Sequence, residues 1–156
     1  MSYIRCNSSS GGGAAIDFSE VDALPTQQGM LYHYNPYAGA VKEIITRENN
    51  TGYYFRLNKG GAAGNVTDYY TFVIAPKNIQ PSNARYTKIR GAGGEYMMLA
   101  GIKDGEIHPL GFYYNQYNGS SQFSYFSDGY SNYDYIMIMG TTSSANQEIY
   151  ADFIFN

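Results

Sequence analysis

Four carboxylates, Asp104, Glu106, Asp128 and Asp134, fall within a short stretch of the second half of the chain. Two carboxyl groups held at a fixed separation can cleave a glycosidic bond, one as acid and the other as base or nucleophile. Their settings point to a plainer role. Asp104 and Asp128 each precede a glycine, and Asp in such turns bonds its own backbone. Asp134 falls at a solvent-facing position of an expected strand. The two histidines offer little more. His33 alternates with aromatics in Leu31-Tyr-His-Tyr34, and His108 precedes Pro109. A triad also needs a nucleophile and an orienting carboxylate, and neither histidine comes with them. Phosphate loops, nucleophile elbows and Cys/His metal patterns are missing from the sequence. Oxygen ligands for Ca²⁺ are plentiful, but no loop spaces its carboxylates as an EF-hand does. The expectation is a non-enzyme with no catalytic residue, metal or cofactor, and glycoside hydrolysis as a minor alternative.

Recognition chemistry is better represented. From Asp104 to Asn156 there are eight Tyr and five Phe, with six carboxylates and no Lys or Arg. The densest part runs from Gly111 to Tyr135 and mixes Tyr with Asn, Ser, Gly and Asp. Tyr supplies a rigid amphipathic face, and small polar residues supply adaptable hydrogen bonds. Sugars present apolar C–H faces and hydroxyls that match these two groups. The candidate contact residues for a glycan or a protein partner are Tyr113, Tyr114, Asn115, Tyr117, Asn118, Tyr125, Asp128, Tyr130 and Tyr133. Tyr117, Tyr130 and Tyr133, beside turns or in a loop, are the ones expected to be exposed. About half of the block's tyrosines should be structural, since sheets favour Tyr in cross-strand pairs.

Charge narrows the partner. The chain carries a net charge of −3, but its last third holds only acids. A base-free segment suits a neutral or cationic ligand better than an anionic polymer. Nucleic-acid binding needs clustered bases, so it is not expected. Cys6 is the lone cysteine, which rules out an internal disulfide. The start at Met1 shows no apolar signal region, and no run is long enough to span a membrane. Synthesis in a cytoplasm without membrane insertion is the expectation.

These residues must be held by strands. At 44% hydrophobic, 17% aromatic and 15% charged residues, the composition argues against disorder. Met1–Ala15 reads as a flexible arm, because Ser8-Ser-Ser-Gly-Gly-Gly13 has linker composition. Residues 16–156 read as one domain. Tyr53, Phe55 and Leu57 alternate with Tyr54, Arg56 and Asn58, the period of a half-buried strand. Further strands are expected at Met30–Tyr34, Ala40–Thr46, Asp68–Ala75, Tyr86–Arg90, Glu95–Ile102, Phe112–Tyr117, Gln122–Ser127, Tyr133–Met139 and Glu148–Phe155. Asp104-Gly105, Asn118-Gly119 and Asp128-Gly129 carry hairpin-turn chemistry. Asp17–Leu24 and Val41–Arg47 could each make a helical turn. The pattern predicts an all-β fold, an antiparallel β-sandwich of jelly-roll type or a barrel. Asp68–Ala75 and Tyr133–Met139 are apolar on both faces. Such strands are either central in a layered core or covered by another subunit.

The opening Met1-Ser-Tyr-Ile-Arg-Cys6, followed by Asn7-Ser-Ser-Ser-Gly-Gly-Gly13, resembles the start of small bacteriophage tail-appendage proteins. The aromatic, Gly/Ser/Asn-rich β-domain resembles phage receptor-binding heads and virion decoration proteins. The resemblance implies a β-sandwich, a virion as the setting and a bacterial surface polysaccharide as the target. Partners would be copies of the chain, a trimer among the options, and other virion proteins. Tyr3, Ile4 and Cys6 would belong to an assembly arm that adds a strand to a neighbour. The shaft typical of tail fibres is not seen in the sequence, which keeps baseplate and capsid decoration open. An extracellular or cell-surface filament subunit is the alternative.

Overall fold

The computed structural model describes residues 16–34, 40–58, 68–79, 86–92, 96–114, 120–125, 129–142 and 148–155. The assembly-arm residues Tyr3, Ile4 and Cys6 lie outside them, as do Asn115, Tyr117, Asn118 and Asp128. A short helix, α1 (Phe18–Ala23), precedes ten strands: β1 (Met30–Tyr34), β2 (Val41–Thr46), β3 (Gly52–Asn58), β4 (Asp68–Ile74), β5 (Tyr86–Ala92), β6 (Tyr96–Lys103), β7 (Glu106–Tyr114), β8 (Ser120–Tyr125), β9 (Tyr135–Thr142) and β10 (Glu148–Phe155). They form two five-stranded antiparallel sheets, β1-β4-β9-β6-β7 and β2-β3-β10-β5-β8.

The strand order is that of a jelly roll. The pairs β6–β7, β5–β8, β4–β9 and β3–β10 nest about one turn and fall alternately in the two sheets. A long hairpin folded over on itself gives this arrangement. Its apex is Asp104-Gly105, which joins Lys103 to Glu106 with φ of 51° and 80°, the left-handed pair a two-residue hairpin turn needs. The other two turn signals, Asn118-Gly119 and Asp128-Gly129, fall on residues outside the described structure, Gly129 excepted, and the strands on either side of them, β7 and β8 and then β8 and β9, belong to different sheets. Turn chemistry reports where the chain can reverse, and it leaves the partner strand open.

The interior follows from alternation. Tyr53 and Phe55 of β3 and Phe153 and Phe155 of β10 meet Tyr70, Phe72 and Ile74 of β4 and Ile136 and Ile138 of β9. The rings of Phe55 and Phe72 stack across the sheets with centroids 4.4 Å apart. Each buried side chain of this size contributes about 1.5–3 kcal/mol. Pro109 is tolerated because β7 is an edge strand. A bulge follows it, where Ala100 faces Pro109 and Leu99 faces Gly111, and Leu110 packs on the core.

The doubly apolar strands have a local explanation. β4 and β9 are central in their sheet, and the outer face of that sheet is covered by the chain's own N-terminal segment. Ile16 and Val21 pack there on Val73, Ala75, Ala100, Ile102 and Met137. Phe18 stacks on Tyr135 at 4.2 Å. A six-residue helix is not stable alone. The Asp17 carboxylate caps its start by accepting from the Ser19 N–H at 3.0 Å. Tyr135 donates to Asp22 Oδ2 at 2.8 Å and Lys77 Nζ to the Asp22 carbonyl at 3.1 Å. The second subunit that could have covered these strands is not required. The strand Val41–Thr46 also prevails over the helical turn considered for the same residues.

Candidate functional site

The second sheet differs from the first in one respect: no described side chain on its outer face is buried. Because Tyr53, Phe55, Phe153 and Phe155 point inward, their strand neighbours Tyr54, Arg56, Asp152 and Ile154 lie outward. The register aligns them in rows. Ile45, Tyr54, Asp152, Arg90 and Ser121 are successive partners across all five strands. On one side runs the row Glu43, Arg56, Tyr150 and Ala92. On the other, Gly52, Ile154, Lys88 and Phe123 align. Val41 and Ile45 of β2 are 49% and 45% exposed, the exposed large hydrophobic residues of the described structure.

Ion pairs organise the polar part of this face. Arg47, just past β2, reaches over β3 and donates through Nη1 to Asp152 Oδ1 on β10. Its backbone N–H is bound to the Gly52 carbonyl at 2.9 Å, which fixes the base of the side chain. Arg56 approaches Glu43 at 3.9 Å, an open contact between two well-exposed side chains. Among the described residues, the result is a solvent-facing surface with an apolar and aromatic strip, Ile45 to Tyr54, beside ordered charges. It can hold a flat, hydroxyl-rich molecule. Among the described residues no three His, Cys, Asp or Glu come together to hold a metal ion.

The described residues of the tyrosine-rich block lie on different elements. Tyr113 and Tyr114 end β7, opposite Met97 and Tyr96 at the edge of the first sheet. Tyr125 ends β8, opposite Tyr86 at the edge of the second. Tyr130, expected to be exposed, is fully buried. Gly129, with φ of 82°, turns the chain inward, and the Tyr130 ring stands edge-on to Phe153 and Phe155, 6.4 Å from each. Tyr133 is half-buried, packed on the core and lying over Gly101.

Among the candidate catalytic groups the histidines lie apart, whereas Asp104 and Asp134 come together at the turn that leads into Glu106. His33 and His108 lie on β1 and β7, the two opposite edges of the first sheet. The Asp134 carboxylate accepts the Asp104 N–H at 2.7 Å, so it pins the β6–β7 turn. The residues of the second sheet's outer face went unrecognised as a site in the sequence. The alternation of β3 marks Tyr54 and Arg56 as outward, but their juxtaposition with Asp152 depends on a pairing between strands far apart in the chain.

No protein-family model matches this chain, and no curated protein does. Several solved structures align with it at low identity. The carbohydrate-binding module CBM27-1 of Caldicellulosiruptor saccharolyticus, solved with mannohexaose, is 13% identical, with a TM-score of 0.46 over 74% of this chain and 81% of that one. A family 11 carbohydrate-binding module of Clostridium thermocellum is 13% identical, with a TM-score of 0.41 over 95% and 97%. The enzymatically active domain of bacteriophage CBA120 tailspike protein 4 is 8% identical, with a TM-score of 0.43 over 82% of this chain and 19% of that one. Similarities of this size assign neither a family nor a ligand, and the jelly roll stands on the strand order itself.

Proposed function

We propose that this domain binds carbohydrate without acting on it chemically, and that the outer face of the β2-β3-β10-β5-β8 sheet is its binding surface. The observation that carries the reading is the row Ile45, Tyr54, Asp152 on a sheet face where no described side chain is buried. Tyr54 and Ile45 suit the apolar face of a sugar ring, and the flanking ionic groups suit its hydroxyls. Five strands span about 19 Å, so the row accommodates an extended chain of several rings. Affinity electrophoresis of the native chain and Tyr54→Ala through gels containing soluble polysaccharides tests this. Retardation of the native chain, weakened at least tenfold in the variant, is the expected result. Retardation that survives the substitution would remove the site assignment.

A second reading is favoured by Val41 and Ile45. Both are large, apolar and exposed, and β2 is an edge strand. Exposed apolar edges invite pairing with another chain. We propose on this ground that copies of the domain meet along β2 as subunits of a phage particle. Sedimentation of native chain and Val41→Lys checks it. Concentration-dependent association lost in the variant supports assembly, and a native monomer at high concentration opposes it.

A further inference from the structure

We propose that the Arg47–Asp152 pair is the sugar-reading element of this face, and that it reads two hydroxyls on neighbouring carbons of one uncharged ring. The inference rests on the carbohydrate reading above and adds the class of glycan. Ile45, Tyr54 and Asp152 are successive partners on β2, β3 and β10. Neighbouring strands lie about 4.8 Å apart, so a ring laid on Tyr54 has its rim at Asp152. Arg47 follows Ile45 by two positions and reaches over β3 to the same carboxylate. A surface for the ring's apolar face and an ion pair for its rim thus meet at one place.

The pair keeps bonding capacity for a ligand. An ionised carboxylate offers about four acceptor sites and a guanidinium about five N–H donors. The bond from Nη1 to Oδ1 uses one of each, and no described side chain takes Oδ2. An acceptor and a donor therefore stand side by side, joined by their own bond. A hydroxyl that faces one of them leaves the other to water. Two hydroxyls on adjacent carbons engage both, the first donating to Asp152 and the second accepting from Arg47. The pair is also in place before a ligand arrives. The Arg47 backbone N–H is bonded to the Gly52 carbonyl at 2.9 Å, and the Asp152 side chain is 17% exposed. Groups held this way save ordering cost on binding, and hydrogen bonds to charged groups are the stronger ones. A ligand carboxylate or ammonium would compete with one partner for the other, so an uncharged ring fits better. The Arg56–Glu43 contact is looser, at 3.9 Å with 45% and 47% of the side chains exposed, and fixes no such geometry.

Affinity electrophoresis of the full chain through β-1,4-glucomannan, β-1,4-xylan, a linear β-1,3-glucan and polygalacturonate tests the inference. Internal rings of the first two have free hydroxyls on neighbouring carbons. In the third, the linkage occupies the carbon between the free hydroxyls. Retardation by glucomannan or xylan at least tenfold stronger than by the β-1,3-glucan is expected. Arg47→Gln and Asp152→Asn should each bring that retardation down to the level of the β-1,3-glucan, with thermal midpoints within a few degrees of the native chain. Arg47→Lys keeps the charge but not the fork of donors, and should show the same loss of preference, should either of the other variants fold poorly. Equal retardation by the three neutral polymers, or variants that keep the native preference, overturns this inference while leaving the carbohydrate reading in place. Stronger retardation by polygalacturonate than by glucomannan and xylan overturns it in favour of a charged ligand. Retardation by none of the four polymers overturns both.

Discussion

Arg47 Nη1 donates to Asp152 Oδ1, and the bond ties the end of β2 to β10 over the intervening strand β3. The two residues are 105 positions apart in the chain. The carboxylate is the better shielded partner, with 17% of its side chain exposed against 39% for the guanidinium. The pair sits beside Tyr54, so it shapes the surface on which a ligand would rest.

Breaking this pair should cost little stability. Arg47→Ala and Asp152→Ala are each expected to lower the unfolding free energy by about 1 kcal/mol, the upper range for partly exposed pairs. The double variant should lose no more than the larger single loss, because the two residues share one interaction. Urea denaturation of the three variants checks the non-additivity.

Tyr130 tests the division between core and surface. Tyr130→Ala is expected to destabilise by about 3–5 kcal/mol, since it empties a space between Phe153 and Phe155. Tyr130→Phe keeps the ring and should leave polysaccharide binding unchanged. Denaturant titration and affinity electrophoresis read the two effects.

Gly101 is required by a close approach. A Cβ there would lie 2.1 Å from the Tyr133 ring. Gly101→Ala should therefore cost about 1–3 kcal/mol through displacement of that ring. Tyr133→Ala in the same chain should recover part of the loss, and a double-mutant cycle by thermal unfolding measures the coupling.

Alkaline pH should unfold the domain through its tyrosines. Burial, with Glu20 and Asp17 nearby, pushes the Tyr32 hydroxyl up to about 12. Burial and the Asp22 carboxylate push Tyr135 up to about 12. Burial also raises Tyr53 and Tyr70. In the unfolded chain these groups ionise near pH 10. The unfolded state thus binds fewer protons above that pH, and stability falls as pH rises. The contribution is complete below about pH 9 and lost between about 10 and 12. Denaturant midpoints across this range, with tyrosinate absorbance, check it. Asp22→Asn should bring Tyr135 to a lower titration midpoint.

Much of the framework was legible from local pattern. Strand positions follow from two-residue alternation, as in Glu148–Phe155, where the expected and observed limits coincide. Asp104-Gly105 made its hairpin because a tight turn between adjacent strands is a local event. Other ends moved: the strand expected at Phe112–Tyr117 begins at Glu106, since Pro109 is harmless on an edge. The site was not legible in the same way. Tyr130 carries the same residue type and turn context as an exposed recognition tyrosine, and only the packing of β10 beside it makes it a core residue.

By itself, the sequence determined an all-β chain, the alternation that gives each strand an inner and an outer side, and the turn at Asp104-Gly105. Those properties depend on backbone preferences and spacing within a few residues. Tertiary structure decided which outer faces are covered and which charges become neighbours. It placed α1 over one sheet, left the described outer side chains of the other unburied, and set Arg47 and Tyr54 beside Asp152. Each of these juxtapositions arises from strand pairing over long chain separations, where the register is chosen by burial of the whole core.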